Sequence, residues 1–420
     1  MAAPDTHRAI DAVWRIESAA LIAGLTRMVR DVGLAEDLAQ DALVAALERW
    51  PESGIPENPG AWLMGTAKHR AIDRLRRDQL LIRKYQELGV RLEAPAPAPE
   101  PEEPQEGEIG DNLLRLVFMT CHPVLNAESR VALTLRLLGG LSTDEIARAF
   151  LAPEPTVAQR IVRAKRTLTQ ERVPFEVPRG ADLSERLSSV LEVLYLIFNE
   201  GYAATSGDEW IRPALCEDAL RLGRILSELA PREAEVHGLS ALMEIQASRL
   251  GARIGASGEP ILLLDQNRAR WDHLLIRRGL EALERAEQLG GRGPYVLQAS
   301  IAACHARART AAETDWARIV ALYDELVQRM PSPVVELNRA VAVSMSSGPA
   351  AGLELVDRLM DEPTLRDYHL LPSVRADFLR KLGRLDEARV EFERAASLTR
   401  NICERDLLLS RAAGCRSSEL

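Results

Sequence analysis

The chain has 420 residues, 46% of them hydrophobic and 27% charged, and a formal net charge of −9 at pH 7. This length predicts about two to four domains of the usual ~100–200 residues. No apolar run approaches the ~18 residues that a membrane helix needs, so we expect no membrane anchor. The first residues mix Asp, Arg and Glu with apolar side chains. A secretory signal peptide lacks that mixture, and we therefore expect a cytoplasmic protein.

Five cysteines are scattered along the chain without a CxxC pair. A cytosolic compartment keeps such thiols reduced, and we interpret them as core or surface thiols. Cys121-His122 and Cys304-His305 are adjacent pairs, but no further ligands follow at zinc spacing. We therefore expect neither a metal site nor a cofactor.

Two stretches divide the chain. Residues 93–111, EAPAPAPEPEEPQEGEIGD, are acidic and proline-rich and contain no basic residue. Prolines remove helical hydrogen bonds and stiffen the chain, so we interpret this stretch as a flexible tether rather than a packed element. A weaker boundary follows near residues 173–184, where prolines and a glycine interrupt two helical patterns. These boundaries predict helical domains at 1–92, 112–172 and 173–420.

Residues 35–50, AEDLAQDALVAALERW, carry apolar side chains at helical spacing. The polar positions that this pattern leaves largely exposed are Glu36, Asp37, Gln40, Asp41 and Glu48. For an isolated helix the ordinary interpretation is a solvated acidic face. Residues 51–60, PESGIPENPG, follow with three prolines and two glycines, which predict a rigid, non-helical loop.

Residues 60–77 form a basic helical pattern that begins near Trp62. Leu63, Ala67, Ala71, Ile72 and Leu75 are expected to face a core, and the basic positions are Lys68, Arg70, Arg74, Arg76 and Arg77, followed by Arg83 and Lys84. Such a surface attracts phosphates without reading the base sequence. Trp62 suits either stacking on an unpaired base or anchoring the start of the helix in the core, and both interpretations stay open.

Residues 112–168 predict a helix-turn-helix. Two apolar-periodic helices come first, the second of which ends at Gly139-Gly140, and Ser142-Thr143-Asp144-Glu145 is a capping box that starts a third helix. After a turn with two prolines, the last helix is expected to bury Val157, Ile161, Ala164 and Leu168 and to turn Thr156, Gln159, Arg160, Arg163 and Arg166 outward. Gln suits adenine and Arg suits guanine or phosphate in a major groove, and we expect Lys165 to contact the DNA backbone.

In this order, the segments resemble the two conserved domains of a bacterial sigma factor of the extracytoplasmic-function type. The resemblance implies an all-α fold, with promoter DNA and core RNA polymerase, through its β′ clamp and β flap, as partners. Asp37-Leu38-Ala39-Gln40-Asp41 fits the family pattern that docks on the β′ clamp coiled coil. Asp37, Gln40 and Asp41 are therefore the implied contacts to core polymerase.

The resemblance also implies two promoter contacts. The loop at 51–60 would capture a flipped base of the −10 element, with an ordinary interhelical connection as the alternative. The residues implied at the −10 element are Trp62, Lys68, His69, Arg70, Arg74, Arg76 and Arg77, and those at the −35 element are Thr156, Gln159, Arg160, Arg163, Lys165 and Arg166. His69 stands where the usual family pattern has Asn, which leaves the strand-separation contacts or base preference at that position open. The acidic tether would thread toward the active-site cleft and RNA exit path, or be only a self-repelling spacer.

Residues 184–420 extend beyond an ordinary member of this sigma class. Residues 382–395 resemble the second half of a tetratricopeptide repeat, and 315–331 are a looser copy. The segments VLYLIFNEGY, PSPVVELNRAV and RADFLRKLGR resemble a subgroup with such an extension. That subgroup suggests an extension that regulates sigma activity, by packing on the sigma domains or by binding a regulatory partner. The polar cluster Asn199-Glu200-Gly201-Tyr202 is interpreted as structural, with Gly201 as a helix C-cap.

Two other classes of protein stay open. A stand-alone helix-turn-helix regulator with a helical-repeat sensor domain would bind duplex DNA without polymerase, but it leaves the acidic helix at 35–50 without a purpose. A helical scaffold or enzyme would explain only the C-terminal part. The sequence contains no nucleophile–base pair, phosphate loop or carboxylate constellation for chemistry, so we expect a sigma factor and not an enzyme.

Overall fold

The computed structural model describes residues 3–87, 106–150, 152–255 and 258–415. Within these ranges the chain forms eighteen α-helices and one two-stranded parallel sheet, which confirms the predicted all-α fold. The chain divides into two compact units, Met1–Leu194 (unit 1) and Tyr195–Leu420 (unit 2). Among the described residues, no helix has both the length and the apolar character needed to span a bilayer.

The helices of unit 1 follow the predicted segments. They are α1 (Ala3–Val29), α2 (Val32–Ser53), α3 (Pro59–Glu87), α4 (Glu106–Thr120), α5 (Ala127–Leu137), α6 (Thr143–Ala149), α7 (Glu154–Gln170) and the first part of α8 (Ala181–Tyr202). The capping box before α6 is confirmed, because Glu145 N donates to Ser142 Oγ at 3.1 Å and Ser142 N donates to Glu145 Oε2 at 2.8 Å. Two backbone donors at the start of α6 are thereby satisfied.

The predicted loop at 51–60 is shorter than expected. Helix α2 continues through Ser53 with Pro51 inside it, and α3 already begins at Pro59. The fully buried Trp50 holds the last turn of α2 in the core, and the turn ends at Gly54, whose φ is +83° and whose N–H donates to Trp50 O at 3.0 Å. The prediction of a non-helical loop was therefore wrong outside residues 54–58.

The predicted tether also needs a correction at its end. Residues 93–105 lie outside the described residues, whereas 106–111 form the start of α4. No proline occurs between Pro104 and the end of α4 at Thr120, so nothing removes helical hydrogen bonds there. Residues 106–111 are therefore helical, and the non-helical tether does not extend over them.

The segments predicted as separate N-terminal domains pack into one unit. Helix α1 packs on α2, α3 and α4, while α7 packs on α5 and α6 and also contacts α2. The buried side chains include Trp50, Leu63, Phe118, Leu133 and Ile161. The boundary between the units falls inside α8 after Leu194, beyond the predicted boundary at residue 173.

Unit 2 contains the rest of α8 and ten further helices. These are α9 (Pro213–Leu229), α10 (Ala234–Ala247), α11 (His273–Gln288), α12 (Pro294–Arg307), α13 (Trp316–Arg329), α14 (Pro333–Ser347), α15 (Pro349–Leu359), α16 (Leu370–Lys381), α17 (Leu385–Leu398) and α18 (Ile402–Ala413). Most of them pack on their neighbours in sequence, as stacked helical repeats do. Phe392, with Ala388 and Ala395, is fully buried, as the repeat pattern requires. The strands β1 (Ser206–Gly207) and β2 (Arg400–Asn401) pair in parallel.

Gly201 has a different role from the one predicted. It lies inside α8, which ends at Tyr202, and is therefore not a C-cap. A Cβ built on Gly201 would stand 2.7 Å from the backbone nitrogen of Cys216, so only glycine permits this approach of α9. Beside it, Glu200 forms a buried ion pair with Arg212.

Candidate nucleic-acid interface

The acidic face of α2 presents two carboxylates one helical turn apart. Asp37 and Asp41 are exposed, and Asp41 pairs with Arg70 of α3 at 3.4 Å. Gln40 is half-buried, and its Nε2 donates to Glu36 Oε1 at 2.6 Å. Of the three residues implied as polymerase contacts, two therefore face solvent and the third is partly engaged within α2.

Glu36 is buried, with 2% of its surface exposed, although the sequence pattern predicted an exposed position. Its carboxylate accepts a hydrogen bond from Arg136 Nε of α5 at 2.6 Å and forms an ion pair with Lys165 of α7. The prediction was wrong because it used only the spacing of polar and apolar residues within α2, and this spacing does not show which other helices pack on it. The face that carries Glu36 is covered by other helices of unit 1.

A second contact joins α7 to the start of α2. Thr169 Oγ1 of α7 donates to Asp31 Oδ2 at 3.1 Å, while Asp31 Oδ1 caps the start of α2 by accepting from Leu34 N at 2.7 Å. We call the set Asp31, Glu36, Lys165 and Thr169 the α2–α7 contact. Sequence reasoning missed it because its partners lie more than a hundred residues apart, and no local periodicity signals such a pairing.

Helix α3 carries the predicted basic face. Arg74, Arg76 and Arg77 are exposed, and Lys68 and Arg70 are half-buried. His69 is exposed, with its Nδ1 2.7 Å from Gly65 O of the preceding turn. Ile72 and Leu75, expected in the core, are only partly buried, so the apolar face of α3 weakens toward its C-terminal half.

Trp62 packs on a neighbouring indole. It is half-buried, and its ring meets that of the fully buried Trp50 edge-on, with 5.2 Å between centroids and an interplanar angle of 65°. Asn58 Oδ1 caps this end of α3 by accepting from Ala61 N at 3.0 Å. The geometry makes Trp62 an anchor for the start of α3 and still leaves part of its surface at the solvent boundary.

Helix α7 has the two faces that the sequence predicts. Val157, Ile161, Ala164 and Leu168 are buried, which confirms the apolar stripe. Thr156, Gln159, Arg163 and Arg166 are exposed, whereas Arg160 and Lys165 are half-buried. Arg160 pairs with the exposed Glu128 at 2.6 Å, and Lys165 pairs with Glu36. The expected DNA-contacting set thus separates into four solvent-facing residues and two that already have carboxylate partners.

Three family models match successive parts of the chain. Residues 17–80 match sigma-70 region 2, and residues 115–168 match sigma-70 region 4. Residues 186–287 match a family of unknown function (DUF6596). The first two cover most of α1 to α7, where the acidic and basic faces lie.

Two relatives differ in how much of the chain they cover. An uncharacterized protein of Rhizobium meliloti (strain 1021) is 41% identical over 389 residues, which is 90% of this chain and 89% of the relative. The probable ECF RNA polymerase sigma factor SigI of Mycobacterium tuberculosis is 26% identical over 171 residues, which is 41% of this chain and 58% of the relative. The similarity to SigI therefore covers less than half of the chain.

Proposed function

The chain belongs to the extracytoplasmic-function group of the sigma-70 family and carries a C-terminal helical extension, and from this premise we propose how its surfaces act. Its role is promoter-directed transcription initiation, for which core RNA polymerase and promoter DNA are the partners. We place this activity in the cytoplasm, as is normal for the family. We assign the chain no catalytic activity of its own.

Helix α2 is proposed as the docking surface for core polymerase at the β′ clamp. The observation that carries this assignment is the exposed pair Asp37 and Asp41, one turn apart on the same face. The exposed ion pair between Asp41 and Arg70 is no obstacle, because such pairs contribute only about 0–1 kcal/mol. Gln40 would join the contact after giving up its hydrogen bond to Glu36.

Helix α3 is proposed to meet the −10 element. Its exposed cations Arg74, Arg76 and Arg77 would neutralise phosphates, and the exposed part of the Trp62 ring would stack on an unpaired base. His69 points its Nδ1 back to Gly65, which leaves Nε2 as the nitrogen that could reach a base or phosphate.

Helix α7 is proposed to read the −35 element, because Gln159, Arg163 and Arg166 project from an exposed face over a buried stripe. In this structure Lys165 is held by Glu36 and cannot neutralise a DNA phosphate. We propose that the α2–α7 contact separates when the protein engages polymerase and promoter. The polymerase β flap is the proposed partner of the region around α5 to α7.

The C-terminal extension is proposed to regulate sigma activity in the same chain. The helical repeats of unit 2 would provide the surface that packs on the sigma domains or binds a regulatory partner. Truncated and full-length chains would differ in promoter-specific transcription with core polymerase. Unchanged activity and unchanged regulation after loss of the extension would reject this part of the proposal.

The central test is charge reversal on α2 in the full chain. Asp37→Lys combined with Asp41→Lys should abolish co-purification with core polymerase and open-complex formation, because two attractive contacts become repulsive. Glu48→Lys, at another exposed position of α2, should leave both unchanged. Normal initiation by the double variant would overturn the docking assignment. Tight binding to duplex DNA without polymerase would instead favour a stand-alone regulator.

A further inference from the structure

Three arginines and three aromatic residues of unit 2 alternate in one stack. The Arg253 Cζ atom lies 3.8 Å from the ring centroid of Tyr202 and 5.5 Å from that of Trp210. The Arg249 Cζ atom lies 5.7 Å from the ring centroid of Tyr202 and 5.8 Å from that of Trp271. The Arg268 Cζ atom lies 4.9 Å from the ring centroid of Trp271. We call these six residues the arginine–aromatic stack. All of them fall within the segment that matches the family of unknown function.

The outer arginines of the stack have structural partners. Arg268 donates to the carbonyl oxygens of His305 and Ala308 and to Thr314 Oγ1, which ties the stack to the end of α12. Arg253 Nη2 donates to Tyr202 O at 3.0 Å, at the end of α8. These contacts satisfy backbone acceptors at two helix ends, as arginines near C-termini commonly do.

The central Arg249 differs from both. Only 8% of its surface is exposed, and its Nε is buried without a hydrogen-bond partner. Across the described ranges, no carboxylate forms an ion pair with Arg249 or with Arg253. Aromatic faces stabilise a guanidinium in part, but a buried charge is ordinarily also paired or fully hydrogen-bonded.

The unpaired polar groups of the stack are all donors. Besides Arg249 Nε, they are Arg253 Nε and the indole Nε1 atoms of Trp210 and Trp271, each buried without a partner. Guanidinium and indole nitrogens donate hydrogen bonds and accept none. What these atoms lack is therefore an acceptor, and an anion supplies several acceptor oxygens together with the missing negative charge.

Burial is the main cause of the pKa shifts of three groups near the stack, and the charge of Arg249 adds to each of them. Burial lowers the pKa of Arg268, and the charge of Arg249 lowers it further. The pKa of Arg253 is lowered by burial and by Arg249, against an opposing effect of Tyr202. Burial, Arg249 and Arg268 together lower the pKa of His305 to about 4. A nearby anion would raise each of these pKa values, because it favours the positively charged form.

We propose that the arginine–aromatic stack is a binding site for a small oxyanion, a phosphate or a carboxylate group, held by the free donors of Arg249 and Arg253. Because the stack draws on the end of α8, the segment before α9, the segment after α10 and the segment before α11, a bound anion would join these parts of unit 2. Its binding would stabilise the folded state over the unfolded one.

Titration calorimetry on the full chain tests this site. Sodium phosphate and sodium acetate are titrated separately at constant ionic strength, which distinguishes the two sources of an oxyanion. Saturable binding of either one is the expected result. The midpoint of thermal unfolding should then rise by about 3 °C for each tenfold increase in that anion above its dissociation constant. Absence of saturable binding by both anions would overturn the proposal.

Substitutions at Arg249 separate a binding site from a purely structural stack. Arg249→Met should weaken anion binding by about 10- to 100-fold, the usual loss for a charge-assisted hydrogen bond. Arg277→Met is the matched control, because Arg277 is an exposed arginine of α11 that pairs with Glu281, and this variant should bind the anion normally. Arg249→Lys keeps the charge but not the planar fork, and it replaces the Met variant if circular dichroism shows that variant unfolded. Anion binding that neither substitution weakens would overturn the assignment.

Discussion

Glu36 in unit 1 and Arg249 in unit 2 are both buried charges, yet they are compensated in different ways. Glu36 has two cationic partners, Arg136 and Lys165, drawn from two other helices. Arg249 lies between two aromatic rings, and after burial its charge also lowers the pKa of the neighbouring Arg268. A buried charge that the chain itself neutralises holds helices together, whereas a buried charge without such a partner carries a free-energy cost, which the proposed anion would offset at Arg249.

The largest effect is expected when the carboxylate of Glu36 in unit 1 is removed. Glu36→Ala should destabilise unit 1 by about 3–5 kcal/mol, because Arg136 and Lys165 are left partly buried without a counter-charge. Urea unfolding of the full chain measures the loss. Glu128→Ala provides the control, since Glu128 pairs with Arg160 of α7 at an exposed position and should cost at most about 1 kcal/mol. Equal losses for the two variants would contradict a special role for Glu36.

The second test uses pH. The folded-state pKa of His305, about 4, lies below its ordinary value of 6.5, so folding favours the neutral ring. Stability from this group is therefore complete above about pH 6.5 and declines as the pH falls toward 4, by up to about 3 kcal/mol. His305→Gln should flatten that part of the stability profile, measured by denaturant unfolding between pH 7 and pH 4.5. An unchanged slope in the variant would show that other groups cause the decline.

A histidine in unit 1 serves as an internal reference for His305. The pKa of His122 is also lowered to about 4, by burial and by Arg186. Phosphate bound beside Arg249 would raise the pKa of His305 and leave that of His122 where it is. NMR titration of both rings, with and without phosphate, measures the two values. Parallel shifts would indicate a general salt effect instead of a local anion.

The smallest expected effect concerns Lys165. If Lys165 contacts a DNA phosphate once the α2–α7 contact has separated, Lys165→Gln should reduce the slope of log affinity against log salt by about 0.9. Promoter binding by the reconstituted polymerase at several salt concentrations gives the slope. Lys381→Gln removes a lysine from an ion pair with Asp377 in unit 2 and should not alter it. Identical slopes for Lys165→Gln and the unsubstituted chain would remove Lys165 from the set of DNA contacts.

Local sequence signals predicted much of unit 1. The capping box at Ser142 and Glu145 and the apolar stripe of α7 depend on residues three or four positions apart, and such contacts form within a single helix. The exposed positions of Asp37 and Asp41 follow from the same periodicity. The order of an acidic helix, a basic helix and a helix-turn-helix was sufficient to indicate the sigma family.

The tertiary structure decided which polar groups are buried and what they contact. Glu36 and Asp37 are neighbouring acidic residues that the periodicity of α2 predicts to be exposed, yet Glu36 is buried and paired with residues of α5 and α7. The local sequence predicts a helix end at Gly201, whereas the close approach of Cys216 that requires a glycine there appears only in the folded structure. Likewise, Tyr202, Arg249 and Trp271 occupy separate segments that only folding brings into one stack. Helical periodicity follows from backbone geometry shared by neighbouring residues, while burial and charge pairing depend on distant residues meeting in space.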